Sequence, residues 1–309
     1  MSKTKAAAAL AFSAAVLMIP AHAALLINQL GSGGLDAQGL ANTLIAGNSG
    51  ITISNVQFVG DNVQGATFNN GGSAGLGINS GVVLSSGNVN DLPLSGVSFG
   101  AGQGTEIGTA GDASLSGIVG TETHDAAVLK FDFVPNGNTV QFSYVFGSTE
   151  YNEFVDSEFN DVFAFLVNGA NVALIPGTST PVAINTVNCG TSDAAAPGSG
   201  SNCNHFIDNR NTDATVGKNL GINLGGFTQT FSFTAGVIAN AKNTMYIAIA
   251  DTSDSVLDSA VFIAGGTFST CGGPDQPVCG VVPEPNIFVF LGCAAGGFLF
   301  LRRWRSTAH

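Results

Sequence analysis

The chain has 309 residues, 21 of them acidic against nine basic, and a sequence pI near 4.4. All 21 acidic residues lie between Asp36 and Glu284, where the basic ones are Lys130, Arg210, Lys218 and Lys242, so this stretch carries a net charge of −17. A surface of that sign repels nucleic acid and anionic lipid and attracts cations, which excludes nucleic acid as a partner.

Residues 1–23 hold Lys3 and Lys5, then an apolar run, then Ala21-His22-Ala23. A basic start, a short apolar middle and an A-x-A end predict a secretory signal peptide with cleavage after Ala23. The chain is thus read as exported. The body beyond the signal, residues 24–275, is of a length that suits one large all-β domain or two small ones, and its single run of strands favours one.

The first element expected in that body is a helix over residues 36–46. Leu40 and Leu44 stand one turn apart, with Asp36 in position to cap the N-terminus. Next, "ITISNVQFVG" over 51–60 alternates and then changes phase at Asn55, which predicts a bulged strand. Residues 65–104 are rich in Gly, Asn and Ser and read as loops around the short strand "GVVLSS". In "AVLKFDFV", Leu129, Phe131 and Phe133 share one face and Lys130 and Asp132 the other; "TVQFSYVF" aligns Val140, Phe142, Tyr144 and Phe146. "FTQTFSFTA" sets Phe227, Phe231 and Phe233 against hydroxyl residues. These are patterns of half-buried antiparallel strands. "DVFAFLV" and "TMYIAIA" are apolar on both faces and read as central strands. The expected fold is all-β, a two-sheet antiparallel sandwich, jelly-roll-like, with one short N-terminal helix and a C-terminal transmembrane helix.

Four cysteines fall in the body, Cys189, Cys203, Cys271 and Cys279, and a fifth, Cys293, in the tail. An even count in an exported chain predicts disulfides. Proximity favours 189–203 and 271–279, which would close a polar loop over residues 193–201 at its base, although four cysteines allow three connectivities. The rival is a zinc site of Cys189, Cys203, His205 and His124, whose spacing matches no familiar zinc pattern.

Acidic residues concentrate on two strand-to-strand connections. Glu150, Glu153, Asp156, Glu158 and Asp161 lie in "FGSTEYNEFVDSEFNDVFAF", and Asp251, Asp254 and Asp258 in "IADTSDSVLDSAVFI". Calcium takes six to eight oxygens, which such loops can supply from carboxylates and carbonyls. Glu150, Asp161, Asp251 and Asp258, nearest the strand ends, are the candidate calcium ligands. The alternative is a solvated acidic loop, with Glu150 or Asp258 buried on a backbone amide. As a catalytic pair, Glu150 and Glu153 would point to opposite faces of one strand and would need a turn to converge. His124, just ahead of a strand, reads as a loop residue. No HExxH or phosphate-loop motif occurs, and no catalytic residue is assigned.

The chain ends with a linker over 276–285 and a segment over 286–309. Residues 285–301, 17 in all, carry no charge, which is at the short limit for a membrane helix. Arg302, Arg303 and Arg305 come next and would hold the end on the cytoplasmic side. Pro283-Glu284-Pro285, the apolar run and the arginine cluster together resemble a PEP-CTERM sorting signal. That resemblance implies a precursor held in the inner membrane of a Gram-negative bacterium, cut near the motif by an exosortase-type enzyme and passed to the cell surface. It also associates the protein with exopolysaccharide and biofilm matrix.

A second resemblance covers most of residues 51–268. "HDAAVLKFDFVP", "VQFSYVFGSTEYNEFVDSEFNDVFAF", "NVALIPGTSTPVAINTVN" and "DSVLDSAVFIAGGTF" are similar to the choice-of-anchor L domain. That family implies a bacterial surface protein of structural or adhesin-like role, with surface polysaccharide or other surface proteins as partners and no family-wide catalytic residue. The rival readings are a polysaccharide-binding module and a glycoside hydrolase of the envelope.

Overall fold

The computed structural model describes residues 24–93, 104–191, 200–209, 220–272 and Cys279. The expected signal peptide, the Pro-Glu-Pro linker, the apolar tail with its arginines, and most of the loop over 193–201 lie outside these residues. Among the described residues no helix is long and apolar enough to cross a membrane.

In chain order the elements are β1 (Leu26–Gln29), α1 (Ala37–Leu44), β2 (Ile51–Val59), β3 (Gly65–Asn69), α2 (Gly71–Ala74), β4 (Gly81–Ser85), α3 (Ala113–Val119), β5 (Thr123–Pro135), β6 (Thr139–Ser148), β7 (Val162–Val167), β8 (Ala170–Asn171), β9 (Phe206–Asp208), β10 (Gly226–Thr228), β11 (Phe231–Gly236), β12 (Asn243–Thr252), β13 (Ser259–Ala264) and β14 (Ser269–Thr270). They form two antiparallel sheets. One runs β1-β3-β4-β13-β6-β10-β9, with β11 and β14 also on β6; the other runs β2-β5-β12-β7-β8. The all-β, two-sheet expectation holds.

The inner faces meet in one large core. Val140, Phe142, Tyr144 and Phe146 of β6 face Phe163 and Phe165 of β7 and Leu129, Phe131 and Phe133 of β5. The rings pack edge to face: Phe142 lies 4.7 Å from Phe165, and Tyr144 lies 5.1 Å from Phe163. Each such side chain, fully buried, stabilises the fold by about 1.5–3 kcal/mol relative to exposure. Helix α1 seals one edge with Leu40, Ala41 and Leu44, and Asp36 caps it by accepting from the Gly39 N–H at 2.8 Å.

Several sequence expectations hold in detail. The phase change in β2 is a bulge: the register with β5 shifts between Ser54 and Gln57, and Asn55 takes φ 53°. β12 lies between β5 and β7, so "TMYIAIA" is a central strand. Cys189 pairs with Cys203 and Cys271 with Cys279, with Cα atoms 4.6 and 4.9 Å apart. The zinc reading is overturned with them, since these sulfurs are bonded to each other.

Other expectations need correction. Residues 65–69 are not loop: they form β3, between β1 and β4, because Phe68 packs edge-on against Phe262. β6 is not half-buried, since Gln141, Ser143 and Val145 on its second face are buried as well. "FTQTFSFTA" is two strands, not one. Phe227 joins the outer cluster with Val145 and Phe262, whereas Phe231 and Phe233 enter the inner core. The break is satisfied locally: the Phe146 N–H donates to the Thr228 hydroxyl at 3.0 Å instead of to a strand partner. His124 lies inside β5 rather than in a loop. No periodicity in the sequence marks α3; it covers Ala126, Val128, Ala248 and Ala250 on the outer face of the five-stranded sheet.

Candidate functional site

The four carboxylates picked from the sequence all sit where strands begin or end, and all are buried. Asp161 precedes β7, Asp258 precedes β13, Asp251 lies near the end of β12, and Glu150 comes just after β6. Their relative exposures are 1%, 6%, 1% and 2%. A fifth, Asp125 at the start of β5, is fully buried with φ 48°. By contrast Glu153, Asp156 and Glu158 on the same connection are not buried, so the solvated-loop reading holds for those three. Glu150 and Glu153 therefore differ in exposure, although their charges act on one another.

The five buried groups divide by their hydrogen bonds. Asp258 and Asp125 anchor the strap at residues 104–109. Both oxygens of Asp258 accept from the Thr105 N–H at 3.1 Å, while Asp125 accepts from the Ile107 and Thr109 N–H groups at 2.9 and 2.6 Å. The Thr105 hydroxyl donates to Asp91 at 2.6 Å. The strap thus runs across three carboxylates and is held by them. At Gly87 the chain passes so close to the Asp258 carboxylate that a β-carbon would not fit.

Asp161 joins the two sheets. One oxygen accepts from the Thr252 N–H at 2.9 Å in β12, and the other from the Ser259 hydroxyl at 2.8 Å in β13. Asp251 differs from all the others. It lies at a register irregularity of β12, where a bulge re-aims a side chain. Neither of its oxygens receives a hydrogen bond of good geometry. Its neighbours are the Asp161 carboxyl, the Ser86 hydroxyl, and Asp258 and Asp125 further out. One oxygen of Glu150 is likewise buried without a donor.

Burial disfavours the charged forms, and mutual repulsion adds to it. Asp161 and Asp258 are each pushed up to about 7, and Glu150 to about 9. Asp251 is raised well above the usual carboxylate range, by burial first and then by Asp161. The two lysines among the described residues, Lys130 and Lys242, stand elsewhere, and Lys242 pairs with Asp132 at 3.3 Å. Among the described residues no three carboxylate, His or Cys side chains converge tightly enough to hold a metal by themselves.

A second feature lies on the outer face of the five-stranded sheet, beside α3. An open groove of about 510 Å³ is lined by Asn55, Gln57, Lys130, Asp132, Thr244 and Tyr246, among others. The register pairs Tyr246 with Lys130 and Thr244 with Asp132, which puts all four side chains on one face. The Tyr246 hydroxyl donates to Asp112, whose other oxygen caps α3 by accepting from the Ser114 and Leu115 N–H groups at 2.9 and 3.0 Å. The ring is thereby fixed against the sheet.

The model of the choice-of-anchor L domain matches residues 30–269 of this chain. The chain belongs to that family. The matched span of the choice-of-anchor L domain runs from the end of β1 into β14 and so takes in both sheets, the carboxylate cluster and the groove. No curated protein and no solved structure matches the chain. The family is consistent with a surface-associated protein. Two parts of this choice-of-anchor L domain escaped the sequence reading. Asp125 sits in "THDAAVL", where nothing marks it as buried. The groove had one signal, the polar pair Thr244 and Tyr246 at alternate positions of a strand read as apolar on both faces.

Proposed function

We propose that this choice-of-anchor L protein is exported, displayed on the cell surface of a Gram-negative bacterium, and structural or adhesin-like in role. The observation that carries the reading is the family match over residues 30–269. It is flanked in sequence by the signal-like segment 1–23 and by Pro283-Glu284-Pro285 with Arg302, Arg303 and Arg305. On this reading an exosortase-type enzyme removes the tail, the membrane holds only the precursor, and the mature domain joins exopolysaccharide or other surface proteins in a biofilm matrix. Fractionation with intact-mass analysis tests it: the surface form should begin at Ala24 and end near Pro285. A mature chain that keeps its arginines in the inner membrane contradicts the processing step.

The groove favours a second reading, binding of surface polysaccharide. A fixed tyrosine ring flanked by amide, hydroxyl, ammonium and carboxylate groups supplies the stacking face and hydrogen bonds that a sugar ring uses. It favours binding over hydrolysis. Glycoside cleavage uses two carboxyl groups across the bond, and Asp132 is the one carboxylate lining the groove. A glycan array separates the readings: a hit abolished by Tyr246→Ala supports saccharide binding, and a blank array leaves the protein-adhesive role.

A further inference from the structure

We infer that the paired carboxylates of Asp161 and Asp251 form a binding site for a calcium-class divalent cation, buried between the ends of the two sheets. The inference goes beyond the surface role and does not depend on what the surface binds.

It begins from an unbalanced charge. Five carboxyl groups lie buried together, and the two described lysines are both outside the cluster. A buried charge is costly unless it is paired, hydrogen-bonded or bound to a metal. Glu150 leaves one buried oxygen without a donor, and three of the five have an account in the fold: Asp258 and Asp125 hold the strap at residues 104–109, and Asp161 receives two donors. Asp251 has none: both oxygens are buried without a donor of good geometry, and they face the Asp161 carboxyl and the Ser86 hydroxyl. The Thr252 hydroxyl beside it is also buried without a partner.

These are all oxygens, the ligand type of a hard cation. Bond lengths to calcium of about 2.3–2.6 Å put neighbouring ligand oxygens about 3.3 Å apart. Asp161 and Asp251 are close enough to act directly on one another, so one ion can bridge their oxygens. No third carboxylate, His or Cys among the described residues converges there. The rest of the shell is therefore neutral: the Ser86 hydroxyl with main-chain or water oxygen. A site with two carboxylates is of modest charge and suits the millimolar calcium of an extracellular setting rather than tight buffering. Asp161 would keep its bonds to Thr252 and Ser259, so a bound ion would act on the same joint that links the sheets.

The test is thermal melting of the full-length protein in chelator and in rising calcium, with elemental analysis of protein purified without chelator. Saturable stabilisation is expected, about 5–10 °C at a hundredfold excess over Kd, with one ion per chain. Asp251→Asn gives a result that loss of a merely structural group would not. It removes a repelling carboxylate, so the metal-free melting temperature should rise or hold while the calcium response disappears. Glu153→Gln, at a carboxylate outside the buried cluster, should leave the response intact. The inference is overturned by a melting temperature independent of calcium up to about 10 mM with no bound metal, because the cluster then holds protons only. It is equally overturned if Asp251→Asn responds to calcium like the parent chain, or if the response is lost in Glu153→Gln. Should Asp251→Asn not fold, Ser86→Ala, which keeps both carboxylates, replaces it and should weaken the calcium response at least threefold.

Discussion

Asp161 and Ser259, 98 positions apart in the chain, meet through a 2.8 Å hydrogen bond that ties one sheet to the other. The aspartate precedes β7 of the five-stranded sheet, and the serine opens β13 of the nine-stranded one. Both residues are buried, at 1% and 0% exposure. The bond therefore forms where water cannot replace it.

Ser259→Ala should cost about 1.5–3 kcal/mol, the usual value for a buried hydrogen bond to a carboxyl group, because it leaves one oxygen of Asp161 without a donor. Urea unfolding of the variant checks this, with the midpoint falling and the slope unchanged. Ser259→Thr, which keeps the hydroxyl, should lose less.

Stability of the metal-free protein should fall as pH rises. Burial holds Asp258 at about 7 and Glu150 at about 9, against ordinary values of 3.8 and 4.5. Asp161, Asp91 and Asp125 face the first, together with the Thr105 N–H; Asp161, Asp254 and Glu153 face the second. Both native-state values are raised, so the folded chain keeps protons that the unfolded chain has released. The contribution is complete below about pH 4 and is lost as pH passes about 7 and then about 9. Melting in chelator should thus occur at a higher temperature at about pH 5.5 than at about pH 8.5. A melting temperature that climbs across that interval would contradict the assignment. Asp258→Asn should flatten the profile near pH 7.

The disulfide of Cys189 and Cys203 closes a loop with a sequence separation of 14. Replacing both cysteines by serine should cost about 3 kcal/mol, chiefly by freeing the unfolded chain. The comparison is between the double variant and the oxidised parent, both unfolded in denaturant. Reduction of the parent should cost at least as much, because it opens Cys271–Cys279 as well.

Gly225 lies against the Tyr151 carbonyl, with no room for a β-carbon. Gly225→Ala should force the β10 entry away from that backbone and cost about 1–3 kcal/mol. The Tyr151 hydroxyl, which donates to the Val187 carbonyl at 2.8 Å, would be strained along with it. A melting temperature equal to that of the parent would show that the strand shifts freely.

Strand periodicity carried most of the fold. Leu129, Phe131 and Phe133 face the core as their alternation demands, and Asn55 marks the β2 bulge. What the pattern could not carry was burial on a second face. Gln141 and Ser143 look like solvent-facing positions in "TVQFSYVF", yet β6 is covered on both sides. That depends on chain segments distant in sequence. The candidate site was half legible for the same reason. Acidic residues beside strand ends marked Glu150, Asp161, Asp251 and Asp258. Their division into strap anchors, a sheet tie and an unpartnered group depends on the 104–109 segment, whose backbone donors leave no trace in composition.

The two strands at the middle of the sheets come late in the chain. β12 separates β5 from β7, and β13 separates β4 from β6. A ribosome makes the flanking strands first, so through most of synthesis each half-sheet has a gap where its centre belongs. The five-stranded sheet cannot close until the residues up to 252 have emerged, nor the nine-stranded one until those up to 264 have. Such distant pairings fold slowly. A chain truncated anywhere before that point keeps two open strand edges, a form prone to pair with other chains. On the proposed export route, the delay would leave the chain unfolded while most of it crosses the membrane.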